Sequence, residues 1–262
     1  MSISTNDMYR YKTMVTNAFD LDNANDNSTI FVTIENKWHI NNTSQIESNI
    51  ANFISKNGEQ NRNPKILVSS LITILANDLF EVYIVNDPKY TDQLQGQKGL
   101  RLKESAPTLP AFTVLTEYFG VTHSLAEFKR WFPEDNEISE YHQQMAYSIP
   151  LPHYPLCEHF IANQTFANKW EKQENQLFGD NSNDNEICIS TTLLGGADTP
   201  MFAKINDGRD RTEMQEKTSS KNDNVMFIDA TYRYWPHAFF VTKTVIKPGD
   251  PLLVFYGPDY FV

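Results

Sequence analysis

Ile246-Lys247-Pro248-Gly249-Asp250-Pro251-Leu252-Leu253-Val254-Phe255-Tyr256-Gly257 is the stretch whose reading decides the fold. Its first part, Lys247-Pro248-Gly249-Asp250, reads as a turn. The β-branched and aromatic runs on either side, Ala238 to Val245 and Leu252 to Tyr256, read as strands. Further out, Val225 to Ala230 reads as a strand, set off from the next by Trp235-Pro236. Thr29 to Glu35, Leu79 to Val85, Phe112 to Phe119 and Ile187 to Thr191 read the same way. Ile46, Ile50 and Phe53 recur at helical spacing and predict a short amphipathic helix over Gln45 to Ser55. Leu125 to Phe132, stopped by Pro133, and the polar stretch Gln164 to Gln176 predict two more helices. Lys65 to Asn77 suits a buried helix or a strand equally by periodicity.

The connections are irregular. Residues 1–28 are rich in Asn and Asp and predict a loose arm. Asn57 to Pro64 is a loop by turn chemistry, and Pro150, Pro152 and Pro155 mark an irregular segment. Gly179 to Asn185 is a polar turn, and Asp207 to Asn222, charged and polar, predicts a surface loop. Many short strands without alternating β and α units argue for a β-rich fold and against a doubly wound parallel sheet. The chain has no internal repeat and no G-x-G-x-x-G, P-loop, H-E-x-x-H or G-x-S-x-G motif.

Composition narrows the function. The 262 residues suffice for one large domain or one domain with an appendage, and 40% hydrophobic residues with 13% aromatics exclude a disordered chain. The balance of 22 basic and 33 acidic side chains, net −11, argues against a dedicated nucleic-acid binder and suits a basic protein partner. Two cysteines, Cys157 and Cys188, cannot build a disulfide framework or a four-thiolate zinc site. Cys157-Glu158-His159 offers one ligand pair with no second pair, so no metal is expected. Met1 to Lys12 lacks the apolar core of a signal peptide, and the apolar run Ile66 to Ala76 is far short of the ~20 residues of a membrane span. These features predict a soluble, non-membrane protein of the cytoplasm or nucleus, or one delivered by another export route, such as a bacterial effector entering a host cell.

The stretch from Phe239 to Gly257 resembles the closing segment of SET-domain protein lysine methyltransferases, in which a strand, an I-x-x-G-[ED]-E-L turn and an apolar strand lead into a tyrosine. Tyr256-Gly257-Pro258-Asp259-Tyr260-Phe261 is similar to the Y-G-x-x-[YF] ending of some members. Further likenesses occur in family order. Gln97-Lys98-Gly99-Leu100 resembles the opening G-x-G-[LV] segment, and Thr116-Glu117-Tyr118-Phe119-Gly120 the x-E-Y-x-G strand end. Met201 to Arg209 resembles the R-F-[IL]-N-[HD] motif, and Asn224-Val225-Met226-Phe227 the strand that follows it. The resemblance covers residues from about 90 to 262.

The resemblance implies an α+β, mainly β chain: a SET-type β-clip fold of short strands over 90–262, with a helical insert over about 121–186 and an N-terminal extension, 1–89, of mixed α/β character. It implies methyl transfer from S-adenosylmethionine to a lysine of a basic protein such as a histone tail. Tyr256 would stand at the transfer centre, with Tyr118 as a second catalytic candidate. Lys98, Gly99, Leu100, Asn206, Asp207 and Tyr256 would hold the cofactor, Asp207 through its backbone. Tyr147, Phe255 and Tyr260 would line the substrate channel. Such a site must neutralise an amine whose ordinary pKa is about 10.4, and an apolar aromatic channel beside a cationic sulfonium does so by disfavouring the ammonium. The chain departs from the family at Gln97 (usually Gly), Lys204 (usually Arg) and Asp207 (usually His). Those departures favour a rival reading, a catalytically silent SET-like module that binds protein. A third reading is a β-clip domain that shares only the Ile246 to Asp250 turn.

Overall fold

The structure, a computed structural model, describes residues 30–33, 43–57, 78–88, 94–118, 121–132, 148–151, 187–190, 201–210, 213, 221–232 and 235–256. In chain order its elements are β1 (Ile30–Thr33), α1 (Thr43–Asn57), β2 (Phe80–Ile84), β3 (Lys98–Leu102), β4 (Val114–Glu117), β5 (Val121–Ser124), α2 (Leu125–Trp131), β6 (Ser148–Leu151), β7 (Ile187–Ser190), a 3-10 turn (Met201–Lys204), β8 (Asn206–Asp207), β9 (Val225–Tyr232), β10 (Trp235–Thr242) and β11 (Leu253–Val254). Strand therefore dominates the described residues. The chain divides into two compact units, 1–33 with 118–199 and 229–238, and 34–117 with 200–228 and 239–262. No helix among the described residues is long and apolar enough to cross a membrane.

In the first unit an antiparallel sheet runs β5-β7-β6. β7 is the middle strand, and consecutive residues Cys188, Ile189 and Ser190 are all buried, so both of its faces are covered. Ser148 and Ser190 lie directly opposite and share a hydrogen bond between their hydroxyls. Pro150 stands inside β6 opposite Cys188, where its sequence context predicts irregular chain. An edge strand tolerates it, because a backbone N–H that would face outward is not missed. α2 follows β5 directly, and one helical turn brings the rings of Phe128 and Phe132 to 5.1 Å. Lys129 and Arg130 in its last turn complement the negative end of the helix. β1 lies antiparallel to the last four residues of β9, Thr33 opposite Asp229 and Ile30 opposite Tyr232.

In the second unit, α1 buries Ile46 and Ile50, and Phe53 on the same stripe meets Phe239 edge-on at 5.7 Å. β2 and β3 form an antiparallel hairpin, Phe80 opposite Leu102 and Ile84 opposite Lys98, extended by the bond from Val85 N–H to the Gln97 carbonyl (2.9 Å). β4 pairs with β10 through Phe239–Glu117 and Phe240–Thr116, then shifts register at a bulge before Val241. β4 begins at Val114, two residues later than its sequence suggests, because Phe112 has φ 64° and cannot lie in a strand. That conformation is held from three directions: Asn49 donates to the Phe112 carbonyl (2.7 Å), Phe112 N–H donates to the Thr242 carbonyl (2.8 Å), and Thr113 N–H donates to the Thr242 hydroxyl (2.8 Å).

Two further readings need correction. The strand expected from Ala238 begins at Trp235 and ends at Thr242, so Trp235-Pro236 opens β10 and does not break the chain. A proline is accepted at the start of a strand, where its missing N–H costs little. The segment from Asp207, expected to be a surface loop, is solvated only in part: Asp207, Arg209 and Glu213 are 1%, 1% and 4% exposed, whereas Lys221 and Asn222 are exposed. Its charges are buried because they are paired and hydrogen-bonded to the backbone. Glu213 accepts from Asp210 N–H (3.0 Å) and Lys221 N–H (2.9 Å), and Asp210 accepts from Glu213 N–H (2.9 Å). The expectations for residues 1–28, 58–77, 152–186 and 191–200, including the Gln164 to Gln176 helix and the Cys157–His159 pair, fall outside the described residues.

Candidate functional site

The site is assembled in the second unit from three segments far apart in sequence. The first is the β2–β3 hairpin, whose register sets Gly99 opposite Tyr83. A Cβ at position 99 would lie 2.6 Å from Tyr83 Cε1, 2.9 Å from its Cζ and 3.1 Å from Asn206 Nδ2. Only hydrogen fits there, so glycine is required by close approach.

The second segment follows the 3-10 turn. Phe202 is buried and its carbonyl accepts from Ile205 N–H (3.2 Å), which turns the chain into β8. β8 pairs in parallel with β11, Asn206 beside Leu253 and Asp207 beside Val254, and Gly208 N–H extends the ladder to the Val254 carbonyl (3.2 Å). Asn206 reaches across 108 residues of sequence, its Nδ2 at 3.4 Å from the Lys98 carbonyl.

The third segment is the turn and strand that open the sequence analysis. Gly249 has φ 85°, as the Pro-Gly turn requires, and Asp250 closes it: its N–H donates to the Lys247 carbonyl (3.0 Å) and its Oδ2 accepts from Lys247 N–H (2.8 Å). β3 holds this segment through Gly249 N–H to the Leu102 carbonyl (2.9 Å), Leu102 N–H to the Asp250 carbonyl (3.0 Å) and Leu252 N–H to the Leu100 carbonyl (2.8 Å). Asn224 holds its other side, accepting from Leu253 N–H (2.9 Å) and donating to the Pro251 carbonyl (2.7 Å).

Tyr256 ends this segment, half-buried. Its hydroxyl donates to the Ile205 carbonyl at 2.6 Å, and its N–H donates to Asp207 Oδ2 at 3.1 Å. A phenol whose proton is committed to a carbonyl keeps its oxygen lone pairs as acceptors. The Phe227 ring lies 5.8 Å from that of Tyr256, and a series of ring contacts continues to Phe240 (4.5 Å), Phe202 (6.1 Å) and Phe80 (5.3 Å). The wall beside Tyr256 is therefore apolar and continuous with the core.

Asp207 carries the site's buried charge. Its Oδ1 accepts from the Arg209 backbone N–H (2.9 Å) and Nε (3.0 Å), and its Oδ2 from Arg209 Nη2 (3.1 Å). The guanidinium lies 5.0 Å over the Phe255 ring. The ion pair neutralises both groups where neither meets water, the condition under which burial of charge is tolerated.

The expected residues are thus placed as follows. Gly99, Asn206 and Tyr256 converge, with Lys98 contributing its carbonyl and an exposed side chain, and Leu100 buried in the hairpin. Asp207 is beside them with its carboxylate turned to Arg209 and Tyr256. Phe255 is buried, one face of its ring under Arg209. Tyr118 is buried in the first unit, its N–H on the Ala238 carbonyl (2.7 Å). Tyr147 and Tyr260 lie outside the described residues. Sequence reasoning missed Tyr83 and the role of Arg209. The position of Tyr83 was readable in principle, because pairing Leu79–Val85 with the Gly99 strand sets it opposite the glycine. Among the described residues no three His, Cys, Asp or Glu side chains converge as a metal site would need.

No family model matches the chain, and no curated protein matches it. Solved structures are similar at low identity. ATXR5 in complex with histone H3.1 mono-methylated on R26 is 9% identical with a TM-score of 0.35, and the likeness covers 69% of this chain and 62% of that one. SUVH6 of Arabidopsis thaliana in complex with SAM is 14% identical with a TM-score of 0.36, over 68% of this chain and 26% of that one. The chain thus spans less than two-thirds of the length of either protein. CpSET8 from Cryptosporidium is 14% identical with a TM-score of 0.36, over 95% of this chain and 97% of that one.

Proposed function

We propose that the chain is a SET-type, S-adenosylmethionine-dependent protein lysine N-methyltransferase acting on a basic protein such as a histone tail. The observation that carries this reading is that three segments of the sequence resemblance meet: Asn206 lies against Gly99 and reaches the Lys98 carbonyl across 108 residues, and the Tyr256 hydroxyl reaches the carbonyl of the preceding residue, Ile205, across 51. The acceptors suit the amino-acid end of the cofactor: the Lys98 carbonyl and the Asn206 amide oxygen can each accept from an ammonium group. S-adenosylmethionine, when bound, supplies the methyl group. Tyr256 accepts an N–H of the incoming lysine at its hydroxyl oxygen and so aims the amine's lone pair, a placement effect. Phe227 keeps water from that side and favours the neutral amine. The net charge of −11 draws a basic substrate.

One observation favours the silent binding module instead: the Tyr83 ring lies against Gly99, on the face where a cofactor would pass. Thermal unfolding of the full chain with S-adenosylmethionine and with its demethylated product separates the two. Ligand at about 100 times its dissociation constant adds roughly 2.7 kcal/mol, a visible rise in Tm. The expected result is a rise that Asn206→Ala weakens; no rise at millimolar ligand moves the reading to the silent module. Tyr256→Phe is expected to abolish transfer and to cost only about 0.5–1.5 kcal/mol through the lost bond to Ile205, so a folded variant with full activity overturns the role of the hydroxyl.

A further inference from the structure

We infer that Asp207 and Arg209 form a buried clamp that positions Phe255 and Tyr256 for reaction, an inference that rests on the methyltransferase reading of the same site. The parallel ladder of β8 and β11 ends at Val254, two residues before Tyr256. The Asp207 carboxylate takes over at that point, with Oδ2 accepting the Tyr256 N–H at 3.1 Å. Ile205 receives the hydroxyl at the other end of the same residue, so Tyr256 is held at its backbone and at its tip. A carboxylate has no donor and two oxygens, and all four of its contacts here are N–H groups: the Arg209 backbone, Nε and Nη2, and Tyr256. The Arg209 fork fixes the plane of the carboxylate, and its guanidinium lies over Phe255, so one pair of side chains fixes two consecutive residues. A buried ion pair adds little stability over an apolar pair of the same size; what it adds is one geometry. Asp207 and Arg209 act on Tyr256 through its backbone N–H and on Phe255 through its ring, so they are positioning residues.

The test uses the full chain, tritiated S-adenosylmethionine and purified core histones. Asp207→Ala would strand a buried guanidinium and is expected to unfold. The informative variant is D207N/R209M, which removes both charges and keeps their bulk. It is expected to keep its melting temperature within a few degrees, to lose about tenfold or more in kcat, and to hold KM for the cofactor within about threefold. ¹⁵N-tyrosine labelling adds a readout independent of activity: the Tyr256 amide should exchange about tenfold faster or more, while the Tyr118 amide on the Ala238 carbonyl is unchanged. If the double variant unfolds, Arg209→Lys, which keeps the charge and loses the fork, is expected to shift the same readouts in the same direction. Wild-type kcat with wild-type Tyr256 exchange overturns the clamp, as does a parallel loss of kcat, KM and melting temperature. If the wild-type protein neither binds the cofactor nor transfers methyl groups, the methyltransferase reading falls, and amide exchange alone decides the clamp: unchanged exchange overturns it.

Discussion

Gly99→Ala probes the tightest contact in the site. The added Cβ would stand 2.6 Å and 2.9 Å from two atoms of the Tyr83 ring. Favourable carbon contacts begin near 3.5 Å, so the ring must retreat by about 0.9 Å. Tyr83 also packs on the buried cluster of Val85, Leu94 and Leu253, so retreat loses contacts there as well. Overpacking of this kind costs about 1–3 kcal/mol, and replacing glycine at an ordinary φ returns about 0.4–1 kcal/mol by restricting the unfolded chain. The net expectation is a loss of about 1–2 kcal/mol, or roughly 2–8 °C in Tm. In a Tyr83→Ala background the ring is gone, and the remaining contact is Asn206 Nδ2 at 3.1 Å, the far end of a side chain that can yield. There the same substitution should be neutral or stabilising by about 0.5 kcal/mol, giving a coupling of roughly 1–2.5 kcal/mol. Urea denaturation of the four proteins measures it. Equal cost in both backgrounds would refute the claim that Tyr83 is what excludes a side chain at position 99. The same four proteins bear on the cofactor: if it passes over Gly99, the alanine weakens its binding even where Tyr83→Ala has restored stability.

Two further outcomes follow from single side chains. Asn224→Ala removes both bonds that hold Pro251 and Leu253, leaving a buried strand N–H unmet, and is expected to cost about 2–4 kcal/mol by denaturant unfolding. A loss below 0.5 kcal/mol, roughly the scale of an exposed contact, would mean that β11 is held elsewhere. Thr242→Val keeps the shape but unpairs the Thr113 N–H and leaves the Pro110 carbonyl with the Thr113 hydroxyl as its donor, at about 1–3 kcal/mol, and hydrogen exchange should quicken at Thr113 before it does at Tyr118. Unchanged exchange at Thr113 would count against Thr242 as the prop of the Phe112 conformation.

Local chemistry made much of the fold legible. The period of Ile46, Ile50 and Phe53 specifies the stripe that α1 turns inward, and Lys247-Pro248-Gly249-Asp250 reads as the turn it forms. Ile187 to Thr191 reads as a short strand, and Ile187–Ser190 forms one. The errors share a cause. Pro150 and Pro236 read as breakers because proline lacks an N–H, yet the cost depends on whether a neighbouring strand needs that N–H, a fact of tertiary pairing. Asp207, Arg209 and Glu213 read as solvated because they are charged, and burial became affordable only through partners that local pattern does not reveal.

The candidate site divides along the same line. Gly99, Asn206 and Tyr256 were singled out because each sits in a short motif of the resemblance, and the structure sets Asn206 against Gly99 and the Tyr256 hydroxyl on the Ile205 carbonyl. Their supports were not. Tyr83 is made necessary by a register, Arg209 by a carboxylate two residues before it, and Asn224 by a strand that begins 29 residues later. Nothing in the type of a tyrosine, an arginine or an asparagine says which backbone it will meet. That asymmetry bears on Asp207. Read alone, an aspartate where the sequence resemblance leads to a histidine suggests a damaged site. With Arg209 beside it, the substitution is half of a pair whose other half is two residues away, and the pair does what a single residue there could not: it holds the Tyr256 N–H, fixes its own plane and covers Phe255. Removing either charge alone would leave the other buried and unmatched, so the fold itself keeps the two together whether the site transfers methyl groups or only binds protein, and cofactor binding by the wild-type chain is what decides between those readings.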